Sequence, residues 1–139
     1  EWHGYGNYSN VLIDNENFIS VPGGGHWGGG IWMNSYDLAR FGLLMLNRGT
    51  WKGKTIISSN WINKTLSPSV IKPNYGFLIR VNTLNSIFGK YTSEKSFIAA
   101  GAGGNAVFVD PNKNIIIVTR WCKNPKDLIE LFLKSLNGK

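Results

Sequence analysis

An α+β fold is predicted by the order in which helical and strand patterns occur along these 139 residues. Helix-like segments come first, three or four antiparallel strand patterns follow, and a last helix with an apolar face closes the chain. A second observation concerns the run Ile115-Ile-Ile-Val118. A continuous apolar strand wants both faces of its sheet covered. The C-terminal helix covers one, so the other falls to the first two helices or to sequence outside this chain. A third is bulk: 42% hydrophobic and 13% aromatic residues are ample for one packed core in a chain of one-domain length.

Taken in order, residues 1–20 place Trp2, His3, Tyr5, Tyr8, Val11, Leu12, Ile13, Phe18 and Ile19 around an Asp14-Asn-Glu-Asn17 turn, a pattern for a short hairpin or an ordered loop. Residues 21–31 set six glycines around His26 and Trp27. That density suits no regular element, and an imidazole and an indole on a glycine loop can line a pocket; the competing reading plugs Trp27 into the core and leaves His26 in water. The clearest helix follows. Asn34 or Ser35 can cap it, Asp37 sits in the first turn, Leu38, Phe41 and Leu44 or Met45 share a face, and Gly49 is the expected stop. Trp51-Lys-Gly-Lys54 reads as a turn, and Ser58 or Ser59 caps a shorter helix through Leu66, ended by Ser67-Pro68.

Tyr75 to Val81 has strand composition, and Ile87, Phe88 and Tyr91 suggest a short strand in an otherwise polar stretch. Ala106–Asp110 and Ile115–Trp121 read as a hairpin across Pro111-Asn-Lys-Asn, and a C-terminal helix starts at Asn124 or Asp127, carrying Leu128 to Leu136.

The net charge is +7, but its lysines and arginines are scattered and form no stripe with exposed aromatics, so no nucleic-acid partner is expected. The charge implies solubility and a mild preference for anionic partners. One cysteine, Cys122, allows no internal disulfide, and His3 and His26 have no carboxylate at ligand spacing, so neither metal nor cofactor is expected. No apolar run reaches the length of a membrane span. The chain opens at Glu1 in an aromatic, glycine-bearing segment, and is read as a single region, 1–139, of a longer protein.

The candidate site lies in Phe97–Pro111. Gly101, Gly103 and Gly104, with Ala99, Ala100 and Ala102 between them, interrupt a run of strand formers and clear one wall, so something comes close to that backbone. Two readings stand open: a bulged strand that only shapes the sheet, or an edge whose N–H groups meet an oxyanion or a peptide-like substrate. The glycine spacing does not fit a phosphate loop.

Residues 28–51, with Asp37-Leu-Ala-Arg-Phe-Gly42, the following short helix, Tyr75-Gly-Phe77, and Gly101-Ala-Gly-Gly104 leading to Val109-Asp-Pro111, resemble the C-terminal half of the serine β-lactamase and penicillin-binding-protein-like hydrolases of the class C type. The resemblance implies the C-terminal part of the β-lactamase/transpeptidase-like fold, a periplasmic or secreted location, and an acyl-enzyme formed on a serine before residue 1. It implies a backbone N–H of Ala102 in the oxyanion hole, with His26, Trp27, Ala99, Ala100, Gly101 and Gly103 against an ester, amide or peptide substrate. The missing N-terminal part would be this chain's partner, and the chain alone would be inactive. Ser69-Val-Ile-Lys72 and Tyr8-Ser-Asn10 match two motifs of those enzymes by chance, since Pro68 and Pro73 bracket the first and no helix follows the second. The alternative is a carbohydrate or cell-wall glycan-binding module with Trp2, Trp27, Trp32 and Trp51 as an aromatic platform. A third is a structural domain without a site.

Overall fold

The computed structural model describes residues 10–13, 15–19 and 33–137 of a chain that divides into two units, Glu1–Asn34 and Ser35–Lys139. In the first, β1 (Asn10–Ile13) pairs antiparallel with β2 (Glu16–Ile19), with Ile13 opposite Glu16 across a two-residue loop in which Asn15 has φ +66°. In the second, helix α1 (Ser35–Leu46) leads through a small hairpin, β3 (Thr50–Trp51) and β4 (Lys54–Thr55), to α2 (Ser59–Thr65). The strands β5 (Arg80–Val81), β6 (Phe97–Gly101), β7 (Asn105–Asp110) and β8 (Ile115–Thr119) form an antiparallel sheet in that order, followed by α3 (Pro125–Asn137). The fold class is α+β, as the element order implies.

Strand alternation sorts the side chains onto two faces. Val107 and Val109 of β7 and Phe97 of β6 pack with Met45 of α1 and Ile62 of α2, with Ile116 and Val118 against them. Ala106 and Phe108, with Ile98, pack with Ile129 and Leu133 of α3, and Ile115 and Ile117 join that side. The run Ile115–Val118 is therefore apolar because both faces are covered, one by the first two helices and the other by α3. Gly42 sets how closely α1 approaches: a Cβ there would stand 2.8 Å from Val107 Cγ2 and 2.9 Å from Ile116 Cγ2.

Local chemistry explains the ends and turns. The Ser58 hydroxyl accepts from the Trp61 N–H at 3.2 Å and caps α2. Lys52 and Gly53, both at positive φ, make the tight hairpin turn between β3 and β4. The stop of α1 differs in detail from the expected one. Arg48, at φ +54°, takes the left-handed position and donates its N–H to the Met45 carbonyl, while the Gly49 N–H reaches back to Leu44 at 2.8 Å. Gly49 is needed one residue later, where φ is +87° and a Cβ would collide with the Ile57 carbonyl oxygen.

Two expected strands are corrected. Of Tyr75–Val81 only Arg80–Val81 is strand, with one bridge from Tyr75 to Arg80. Gly76 and Phe77 press against α2 instead, the Phe77 N–H donating to the Thr65 carbonyl at 2.9 Å, and Leu78 turns the chain at φ +57°. Ile87, Phe88 and Tyr91 form no strand. Phe88 is buried edge-on against Phe108, ring centroids 5.0 Å apart, and the surrounding loop is held by a polar hub. Fully buried Asn82 accepts from the Ile87 and Phe88 N–H groups and donates to Thr92 and to the Ser93 carbonyl. Ser93 in turn donates its N–H and hydroxyl to Asp110 at 3.0 and 2.7 Å, and Asp110 also accepts from the Asn112 and Lys113 N–H groups in the β7–β8 turn. Among the described residues no helix is long and apolar enough to cross a membrane.

Candidate functional site

Strand β6 is half covered. β5 pairs only with Phe97 and Ile98, so from Ala99 to Gly101 the edge of β6 facing away from β7 has no strand partner among the described residues. Ala99 is half-buried against the helical core, while Ala100, Gly101, Ala102 and Gly103 are exposed. A Cβ on Gly101 would meet nothing closer than the Asn105 carbonyl oxygen at 4.0 Å. Ala102 lies past the strand, in a tight turn over Ala102–Gly104 with Gly103 at φ +73° and Gly104 at +69°.

What approaches that turn is the chain's own return from β8. The indole of Trp121 sits so near Gly103 that a Cβ there would be 2.6 Å from Cζ3 and 2.7 Å from Cε3, and a Cβ on Gly104 would collide with the Cys122 carbonyl oxygen. Asn105 braces the arrangement, donating from Nδ2 to the Ala102 carbonyl at 2.8 Å and accepting the Trp121 N–H on Oδ1 at 3.3 Å. The Thr119 hydroxyl closes it with a 2.9 Å bond to the Gly104 carbonyl. Trp121 stands at φ +52° and is 78% exposed. The structure realises the first reading at Gly103 and Gly104, which make room for residues 121–122, while Ala100 and Gly101 are exposed on an edge without a strand partner among the described residues.

Trp121 and Asn105 escaped the sequence reading. The signal was there in the register: with Ala106 opposite Thr119, residue 121 falls opposite the glycine turn. Cys122 is half-buried. His26, Trp27, Trp2 and Trp32 lie outside the described residues. Trp51 is half-buried, and Trp61 is exposed beside Phe77, centroids 5.9 Å apart. Ser69 and Lys72 close a turn on each other, the serine hydroxyl bonded to the lysine backbone. Among the described residues no group of three or more His, Cys, Asp or Glu could hold a metal ion.

No family model matches the chain. Over 121 residues, 84% of its length, it is 27% identical to an N-acetylmuramyl-L-alanine amidase of Bacillus subtilis (strain 168). The chain spans 27%, about a quarter, of that relative's length. The similarity is to part of a hydrolase. It corrects the resemblance drawn from the sequence, because the relative is named as an N-acetylmuramyl-L-alanine amidase and not as a serine β-lactamase or penicillin-binding-protein-like enzyme. The serine nucleophile and the acyl-enzyme are withdrawn with it. The strings that suggested it have structural reasons of their own: Gly42 lets α1 close on the sheet, and Asp110 ties the β7–β8 turn to Ser93.

Proposed function

We propose that this chain is part of a bacterial cell-wall hydrolase acting on amide-linked glycopeptide of the N-acetylmuramyl-L-alanine type, and that residues 99–103 and 121 belong to its substrate-holding surface. The observation that carries the reading is the identity to an amidase over most of this chain. The open edge of β6 supports it. An extended stem peptide presents alternating N–H and C=O groups that can continue the sheet where β5 stops, and Ala99, Ala100 and Gly101 leave room for its side chains. The net charge of +7 suits a polymer whose peptides end in carboxylates. We propose, on the same reading, a location outside the cytoplasmic membrane, where such a substrate would be met. A second reading, a glycan-binding part with no chemistry of its own, is favoured by the exposure of Trp121 and Trp61.

The full-length gene product and the 139-residue chain are each incubated with purified peptidoglycan, and newly freed alanine amino groups are labelled with fluorodinitrobenzene. Release by the full-length product, with binding alone by this chain, is expected. Binding without release by either leaves the second reading, and neither binding nor release discards both.

A further inference from the structure

We propose that Trp121, with Arg120 before it and Lys123 after it, is a docking platform for a sugar ring that carries an acidic peptide. The inference rests on the cell-wall reading and names the part of the substrate that this end of the sheet holds. One edge of the indole is fixed against Gly103 and its backbone N–H is fixed by Asn105, so the ring is aimed before any ligand arrives. The rest of the ring is in water, at 78% exposure. A pyranose has one face of C–H groups and a rim of hydroxyls, which suits a flat apolar ring whose own N–H can donate at the border. Among the described residues the indole N–H of Trp121 has no partner, and neither Arg120 nor Lys123, both exposed, has an ion pair. Lys126, by contrast, pairs with Glu130 at 3.8 Å. An exposed aromatic residue flanked in the chain by two uncommitted cations favours a sugar with carboxylates nearby over a neutral glycan. The adjoining small-residue edge of β6 gives the attached peptide its place.

The test is co-sedimentation of the chain with two insoluble probes, peptidoglycan freed of teichoic acid and chitin, which has the N-acetylated sugar without the acidic peptide. The parent should bind peptidoglycan more tightly than chitin, with a preference that shrinks in high salt. Trp121→Ala should weaken binding to peptidoglycan by about tenfold or more, as loss of a central aromatic anchor does, and Trp121→Phe should retain binding within about threefold. Arg120→Gln with Lys123→Gln should lower binding to peptidoglycan and leave chitin unchanged. Matched thermal melts establish that the variants fold, and the Phe and Gln variants keep the inference exposed if the alanine variant does not. Equal binding by parent and Trp121→Ala overturns the platform and leaves the cell-wall reading standing. Equal preference for chitin overturns the role of the cations. A parent that binds no peptidoglycan overturns the platform and the cell-wall reading together.

Discussion

At one end of strands β6 and β7, Phe97, Ile98, Val109 and Asp110 are all buried and the polar groups are consumed by the protein itself. The side chains of Asp110 and Asn82 carry nine hydrogen bonds between them, all to neighbouring turns and loops. At the other end, around Gly101 and Asn105, side chains are small, strand pairing has stopped on one side, and the large group present, Trp121, faces water. The contrast separates two uses of chemistry-bearing residues. The only fully buried carboxylate among the described residues serves a loop, whereas the open end exposes backbone, small side chains and the Trp121 indole, with exposed Arg120 and Lys123 next to it in the chain.

The largest effect should come from the closed end. Asp110→Ala strands the Ser93 hydroxyl and N–H beneath the surface, and should lower stability by about 3 to 4 kcal/mol. Urea unfolding read at constant slope measures it, and a loss under about 1 kcal/mol would show that Ser93 finds other partners. Next comes the junction between the ends. Gly104→Ala drives a Cβ into the Cys122 carbonyl at positive φ and should cost about 2 to 3 kcal/mol, whereas Gly53→Ala, also at positive φ with nothing within 4 Å, should cost about 1 kcal/mol. Similar losses for the two would mean that backbone strain, and not the approach of residues 121–122, decides at Gly104. The smallest effect belongs to the open end: Ala100→Ser should shift stability by no more than about 0.5 kcal/mol, with an unchanged thermal midpoint as the check.

The same contrast governs what could be read from the sequence. Helices α1 and α3 and the β7–β8 hairpin were legible because apolar period, capping residues and a Pro-Asn turn all point one way at each. Tyr75–Val81 misled because its composition is that of a strand, while Gly76 is held by α2, a contact made through space. The loop around Asn82 was opaque for a related reason. One buried amide organises residues 82–93, and nothing in their spacing marks an asparagine as a hub. At the candidate site the glycines gave warning of a close approach, and the flank of Ala99–Gly101 has no strand partner among the described residues. What approached Gly103 was an indole 18 residues further on, visible only once the strands are paired.

The sheet order β5-β6-β7-β8 follows the chain without a crossover, and this has a kinetic consequence. Each strand is laid beside the one just made, and α3 begins six residues after β8, so one whole side of the molecule assembles from neighbours. Helix α1 must return across a far longer loop to cover β7 and β8, a closure with a larger entropy to overcome. Loop-closure entropy therefore predicts that the meander with α3 condenses before α1 docks through Gly42, an order that φ-values on α3 and α1 would check.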